Sequence, residues 1–101
     1  MSVLHTVNKS PFERNGLESC LRYVKKGSSV LLIEDGVYGA LAGSASSNAV
    51  KGAMANVTVY ALEADVLARG IKGKLMDGVK LVDYAGFVDL VTKHDTTSAW
   101  L

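Results

Sequence analysis

Val30-Leu31-Leu32-Ile33 places four large apolar side chains in a row. Successive side chains of a strand point to opposite faces, so a strand with one wet face alternates polar and apolar residues. This run does not alternate. It demands cover on both faces, the situation of a central strand in a parallel sheet flanked by helices. The rest of the chain then has to supply those helices. Its 101 residues, 49% of them hydrophobic, suffice for one compact domain (1–101) with a real core.

The flanking segments read as the required alternation. Val3 to Val7 is apolar apart from His5 and Thr6 and predicts a first strand. Ser10-Pro11-Phe12-Glu13 has the form of a capping box with proline at the first helical position, which predicts a helix to about Lys26, stopped by Gly27. Leu17, Cys20, Leu21 and Val24 give it one apolar face. After the second strand, Glu34-Asp35-Gly36 turns the chain into a second helix from about Val37 to Met54, rich in Gly, Ala and Ser and so of mediocre propensity. Asn56 to Ala61 predicts a third strand, Glu63 to Arg69 a short helix closed by Gly70, and Val79 to Val82 a fourth strand. Asp83 caps a last helix whose apolar face is Tyr84, Phe87, Val88 and Val91, and the tail from Asp95 adds an edge strand. The pattern predicts a three-layer α/β domain with a mostly parallel sheet of four to five strands and right-handed crossovers. There is no internal repeat and no linker.

Charge and cysteine usage narrow the function. Eleven basic and ten acidic side chains leave a net charge of +1, without the basic footprint of a chain that grips phosphates, so no direct nucleic-acid contact is expected. The longest weakly polar stretch carries Ser44, Ser46, Ser47 and Asn48, which argues against a membrane span. One cysteine cannot form an internal disulfide, and no signal-peptide pattern opens the chain, so a cytoplasmic protein is expected. Only 21% of residues are charged, and Ser98-Ala99-Trp100-Leu101 holds a large aromatic that calls for cover by this fold or by a partner.

Few constellations could carry chemistry. There is no G-x-G-x-x-G and no P-loop; Gly36, Gly39 and Gly43 lack the fingerprint spacing, Gly39 and Gly43 fit close helix packing better, and no cofactor is expected. His5, Cys20 and His94 are scattered without metal-ligand spacing, so no metal site is expected. Glu34 and Asp35 fall at the C-terminal end of the second strand, where open α/β sheets bind ligands, although a helix cap accounts for Asp35. A small-molecule or nucleotide-binding module using this edge is one alternative. Cys20 is the candidate catalytic residue. A cysteine nucleophile needs its thiolate stabilised, and the helical neighbours Gly16, Leu17, Tyr23 and Val24 offer no cation. Gly16, however, leaves the sulfur side of that helix open, to solvent or to another backbone.

Several stretches combine into a resemblance. Leu4-His5-Thr6-Val7-Asn8-Lys9-Ser10-Pro11-Phe12 opens the set, followed by Leu31-Leu32-Ile33-Glu34-Asp35-Gly36-Val37. Val59-Tyr60-Ala61-Leu62 with Asp65, Ala68-Arg69-Gly70, Asp83-Tyr84 with Phe87-Val88, and Ser98-Ala99-Trp100 complete it. In this order the chain resembles, over essentially its whole length, the DsrH/TusB family of sulfur-relay subunits. Cys20 brings the resemblance nearest the DsrH branch, that of the DsrEFH complex of sulfur-oxidising bacteria. The resemblance implies a small Rossmann-like α/β fold, in agreement with the pattern, and a cytoplasmic hetero-hexamer with DsrE/TusD-like and DsrF/TusC-like subunits, two copies of each. That complex carries sulfur as a cysteine persulfide and passes it to a DsrC/TusE-like acceptor. It implies sulfur oxidation in the DsrH branch and, as the alternative, tRNA 2-thiouridine synthesis in the TusB branch. The main sulfur-carrying cysteine is expected in the DsrE/TusD-type partner. Cys20 is then either a second persulfide carrier or inert in a purely structural subunit.

Overall fold

The computed structural model describes residues 2–13 and 15–100. Strands β1 (Val3–Val7), β2 (Ser29–Leu32), β3 (Thr58–Leu62), β4 (Lys80–Val82) and β5 (Thr96–Trp100) form one sheet in the order β4-β3-β2-β1-β5. Every neighbouring pair in it is parallel. Helices α1 (Gly16–Tyr23), α2 (Ser47–Ala53), α3 (Glu63–Ala68) and α4 (Tyr84–Lys93) connect the strands. The three-layer α/β architecture is thus the one the strand-helix alternation predicts, with no antiparallel strand in the sheet.

The demand made by β2 is met as its composition requires. Val30, Leu31 and Leu32 are each 0% exposed. Val30 and Leu32 join Val7, Val59 and Ala61 on one face, beneath Leu17 and Cys20 of α1, Val50 of α2 and Val66 of α3. Leu31 and Leu4 point to the other face and meet Leu90 of α4, with Ile33, Tyr60 and Phe87 around them. Steps from β1 to β4 move one strand at a time and carry three helices on one face. The return from β4 to β5, beside β1, carries α4 across the other. Each fully buried Val or Leu of β2 contributes about 1.5–3 kcal/mol relative to an exposed one.

Three elements differ from the sequence expectation. The first helix starts at Gly16 instead of Ser10. Ser10 does accept from the Phe12 amide at 3.2 Å, but Pro11 to Glu13 form only a turn. Asn15, at φ −95° and ψ 23°, is not helical, and Asn-Gly is a poor pair through which to propagate a helix. Position 14 lies outside the described residues. The helix ends at Tyr23 because Val24 is extended, so Gly27 (φ 92°) belongs to the following turn.

The single helix from Val37 to Met54 does not form. A 3₁₀ segment, Glu34–Ala40, is followed by Leu41, which is extended and pairs antiparallel with Leu75; α2 begins only at Ser47. Backbone bonds from Ala42 to Lys74 (2.9 Å) and from Met76 to Ala40 (2.9 Å) satisfy amides that a continuous helix would have paired internally. The Gly- and Ser-rich composition makes that exchange cheap.

The apolar face of α4 is also displaced. Leu90, at 9% exposure, and half-buried Phe87 face the sheet, whereas Tyr84 (62%), Val88 (64%) and Val91 (41%) are exposed. Asp83 caps this helix as expected, its Oδ1 accepting from the Gly86 amide at 2.8 Å.

Gly36 is the tightest junction. A Cβ there would lie 2.0 Å from the Val7 carbonyl oxygen, so the 3₁₀ segment can cross the end of β1 only without a side chain. Gly36→Ala should therefore cost about 3 kcal/mol or more, read as a lower urea midpoint. Gly16→Ala, where a Cβ meets nothing within 4 Å, should be neutral or stabilising. A Gly36→Ala chain as stable as the native one would contradict this packing.

Candidate functional site

Cys20 sits in the second turn of α1, on the face that also presents Leu17, and is 0% exposed. It belongs to the larger of the two core clusters, among aliphatic side chains. Burial pushes its thiol up to about 12, the direction opposite to that of an activated nucleophile. The gap above Gly16 exists, but it does not bring solvent to the sulfur. Because α1 begins at Gly16, that glycine is at the helix start and not in its interior.

Beside Cys20, on the same side of the sheet, three aromatic rings close the β1–β5 end. The Trp100 indole N–H donates to His5 Nδ1 at 3.1 Å. Tyr23 of α1 meets the Trp100 ring edge-on at 5.8 Å between centroids and the His5 ring at 6.2 Å. Burial lowers the His5 pKa. Trp100 is therefore covered by this fold, at least in part; Leu101 lies outside the described residues.

At the C-terminal end of the central strands, four residues interlock. Asp35 is no helix cap: its Oδ1 accepts from Arg69 Nε (2.9 Å) and Nη2 (2.8 Å). Arg69 Nη1 also donates to the Asp65 carbonyl at 3.1 Å. The Asp65 carboxylate accepts from the Glu34 amide at 2.7 Å, which holds Glu34 at φ 49°. The hydrogen bond to Asp35 raises the Arg69 pKa further above its ordinary value. The motifs around Asp65 and Arg69 are visible in sequence, but their pairing over 31 and 34 residues of separation is not. This cluster is internally satisfied, with its one cation already taken.

His5 and His94 are not brought together. His94 Nδ1 donates to the Leu90 carbonyl at 2.7 Å, and its Nε2 pairs with Ser29 Oγ at 2.9 Å. Among the described residues no group of three or more His, Cys, Asp or Glu could hold a metal ion. No helix among them is long and apolar enough to cross a membrane. A cleft of about 300 Å³ lies between α1 and α2, lined by Phe12, Leu17, Leu21 and Ala49 among others.

The family model described as "DsrH like protein" matches residues 9–97. The chain belongs to the DsrH/TusB family. Protein TusB of Escherichia coli K12 is 36% identical over 98 residues, which is 97% of this chain and all of that protein. Protein TusB of Shigella flexneri is 35% identical over the same span. Among solved structures, the ychN protein of E. coli superposes with a TM-score of 0.79 at 18% identity over 98% of both chains. MTH1491 of Methanobacterium thermoautotrophicum, titled a protein of unknown function, gives 0.73 at 20% identity over 91% of both. Their fold is that of this DsrH-like chain.

The burial of Cys20 has a direct readout. In the isolated native chain, alkylation by iodoacetamide should run at least about 100-fold slower than in urea at the same pH, because both access and thiolate are suppressed. Equal rates would mean that the thiol is open.

Proposed function

We propose that this chain is a sulfur-relay subunit of the TusB type, whose main work is assembly. Its partners are DsrE/TusD-like and DsrF/TusC-like subunits, two copies of each subunit. The complex passes persulfide sulfur to a TusE/DsrC-like acceptor for 2-thiouridine formation in tRNA. One observation carries this reading: 36% identity to a TusB, over 97% of this chain and the full length of the relative. The exposed apolar residues Phe12, Tyr23, Leu67, Tyr84 and Val88 support a role in assembly.

The surroundings of Cys20 support placing the main sulfur-carrying thiol in the DsrE/TusD-type partner. In this reading Cys20 is a core residue of the closed chain. A second reading, the DsrH branch working in sulfur oxidation with Cys20 as a persulfide carrier, is favoured by the presence of the cysteine itself.

Two measurements separate these. An E. coli strain lacking its TusB and supplied with this chain should regain 2-thiouridine in its tRNA. If a complex assembles but no 2-thiouridine returns, the TusB reading fails. Cys20→Ser should destabilise the chain by about 1–2 kcal/mol, since it buries a hydroxyl in an apolar site, yet leave sulfur transfer by the assembled complex unchanged. Loss of transfer with assembly intact would instead make Cys20 a carrier.

A further inference from the structure

Strand β5 is held at two ends by different chemistry. At its start, Ser2 N–H donates to Asp95 Oδ2 (2.9 Å) and Asp95 N–H to the Ser2 carbonyl (3.1 Å). His94, immediately before, bonds to Leu90 and Ser29. At its far end Trp100 donates to His5 and packs against Tyr23. Between these ends Thr96, Thr97 and Ala99 are exposed, and the strand pairs on one side only, with β1. Apart from the ladder itself, Trp100 is the main attachment of that end.

The two histidines respond to a proton in opposite ways. His94 Nδ1 already carries a hydrogen toward a carbonyl. Its Nε2 can accept from the Ser29 hydroxyl when neutral or donate to it when charged, so both bonds survive protonation. His5 Nδ1 has to accept, because an indole N–H only donates. A second proton on that ring removes the acceptor and sets two N–H groups against each other at a site 2% exposed. Among the described residues packed on His5, none offsets the charge. Tyr23 faces His5 from α1, with Cys20 on the same helix face; β5 supplies Trp100 and the cross-strand partner Ser98, and β2 supplies Val30. None is a carboxylate.

We propose that β5 is a strap with an acid-released latch: protonation of His5 frees Trp100 and the far end of the strand, while the start of the strand stays anchored. The direction follows from linkage. Burial holds the folded His5 below its ordinary value of 6.5, so the unfolded chain binds the proton more readily. The stability the latch contributes is present above that value and is lost as pH falls below it.

Trp100 is the only tryptophan in the chain and reports its own release. Acrylamide quenching of its fluorescence should rise about three-fold or more from about pH 8 to about pH 5. Over the same range, hydrogen-exchange protection, taken relative to the intrinsic rate at each pH, should fall at the β1-facing amides of Ser98 and Trp100 but not in β2. His5→Asn keeps an acceptor oxygen near the Nδ1 position without titrating, and its quenching should stay flat. Should that variant fail to fold, Trp100→Phe, which lacks the indole donor, should show low protection at Ser98, relative to the intrinsic rate, that is the same at both ends of the pH range. Quenching that is flat in the native chain, a His5→Asn chain whose quenching rises as the native chain's does, uniform loss of protection across β2 and β3, or protection at Ser98 in Trp100→Phe that falls with pH as in the native chain would each overturn the latch.

Discussion

The structure depends on burying β2 from both sides. Val30 and Leu32 are covered from one face and Leu31 from the other, and all three are fully removed from water. One layer of helices cannot do this. The chain meets the demand by stepping through β1 to β4 with its helices on one face, then crossing back to β5 with α4 on the other. The two helix layers, α1 to α3 on one face and α4 on the other, answer that single requirement.

The same packing sets the chemistry of Cys20. A thiol on the inner face of α1, above β2 and among aliphatic side chains, is a good space-filler and a poor nucleophile. The polar features of the fold sit elsewhere. Asp35, Asp65 and Arg69 tie the 3₁₀ segment after β2 to α3, and His5 with Trp100 ties β5 to β1. In each, a polar side chain satisfies a group that the sheet ladder cannot reach. The exposed apolar residues of α4, with Phe12, Tyr23 and Leu67, are left uncovered by the core.

Much of this was legible in the sequence where one residue type has one physical use. The unbroken apolar run of β2, the Asp83 cap and the Gly70 stop (φ 66°) all behave as their chemistry requires. Expectation failed where local and long-range bonding compete. Ser10-Pro11 starts a turn that Asn15 and Gly16 do not propagate, and the Gly- and Ser-rich segment gives up helical bonds for pairing with the residue 74–76 stretch. The α4 face differs from the sequence expectation because Val88 and Val91 are comparably apolar to Phe87 and Leu90, and only the sheet decides which of them it covers.

Sequence by itself determined the class of fold and the family, because hydrophobic periodicity and the order of motifs are properties of the chain read locally. It also exposed Cys20 as the only thiol. Whether that thiol is open, which aspartate holds Arg69, and that His5 receives the Trp100 indole were decided only by tertiary structure. The last two depend on residues brought together across 34 and 95 positions of chain, and no local pattern encodes those distances.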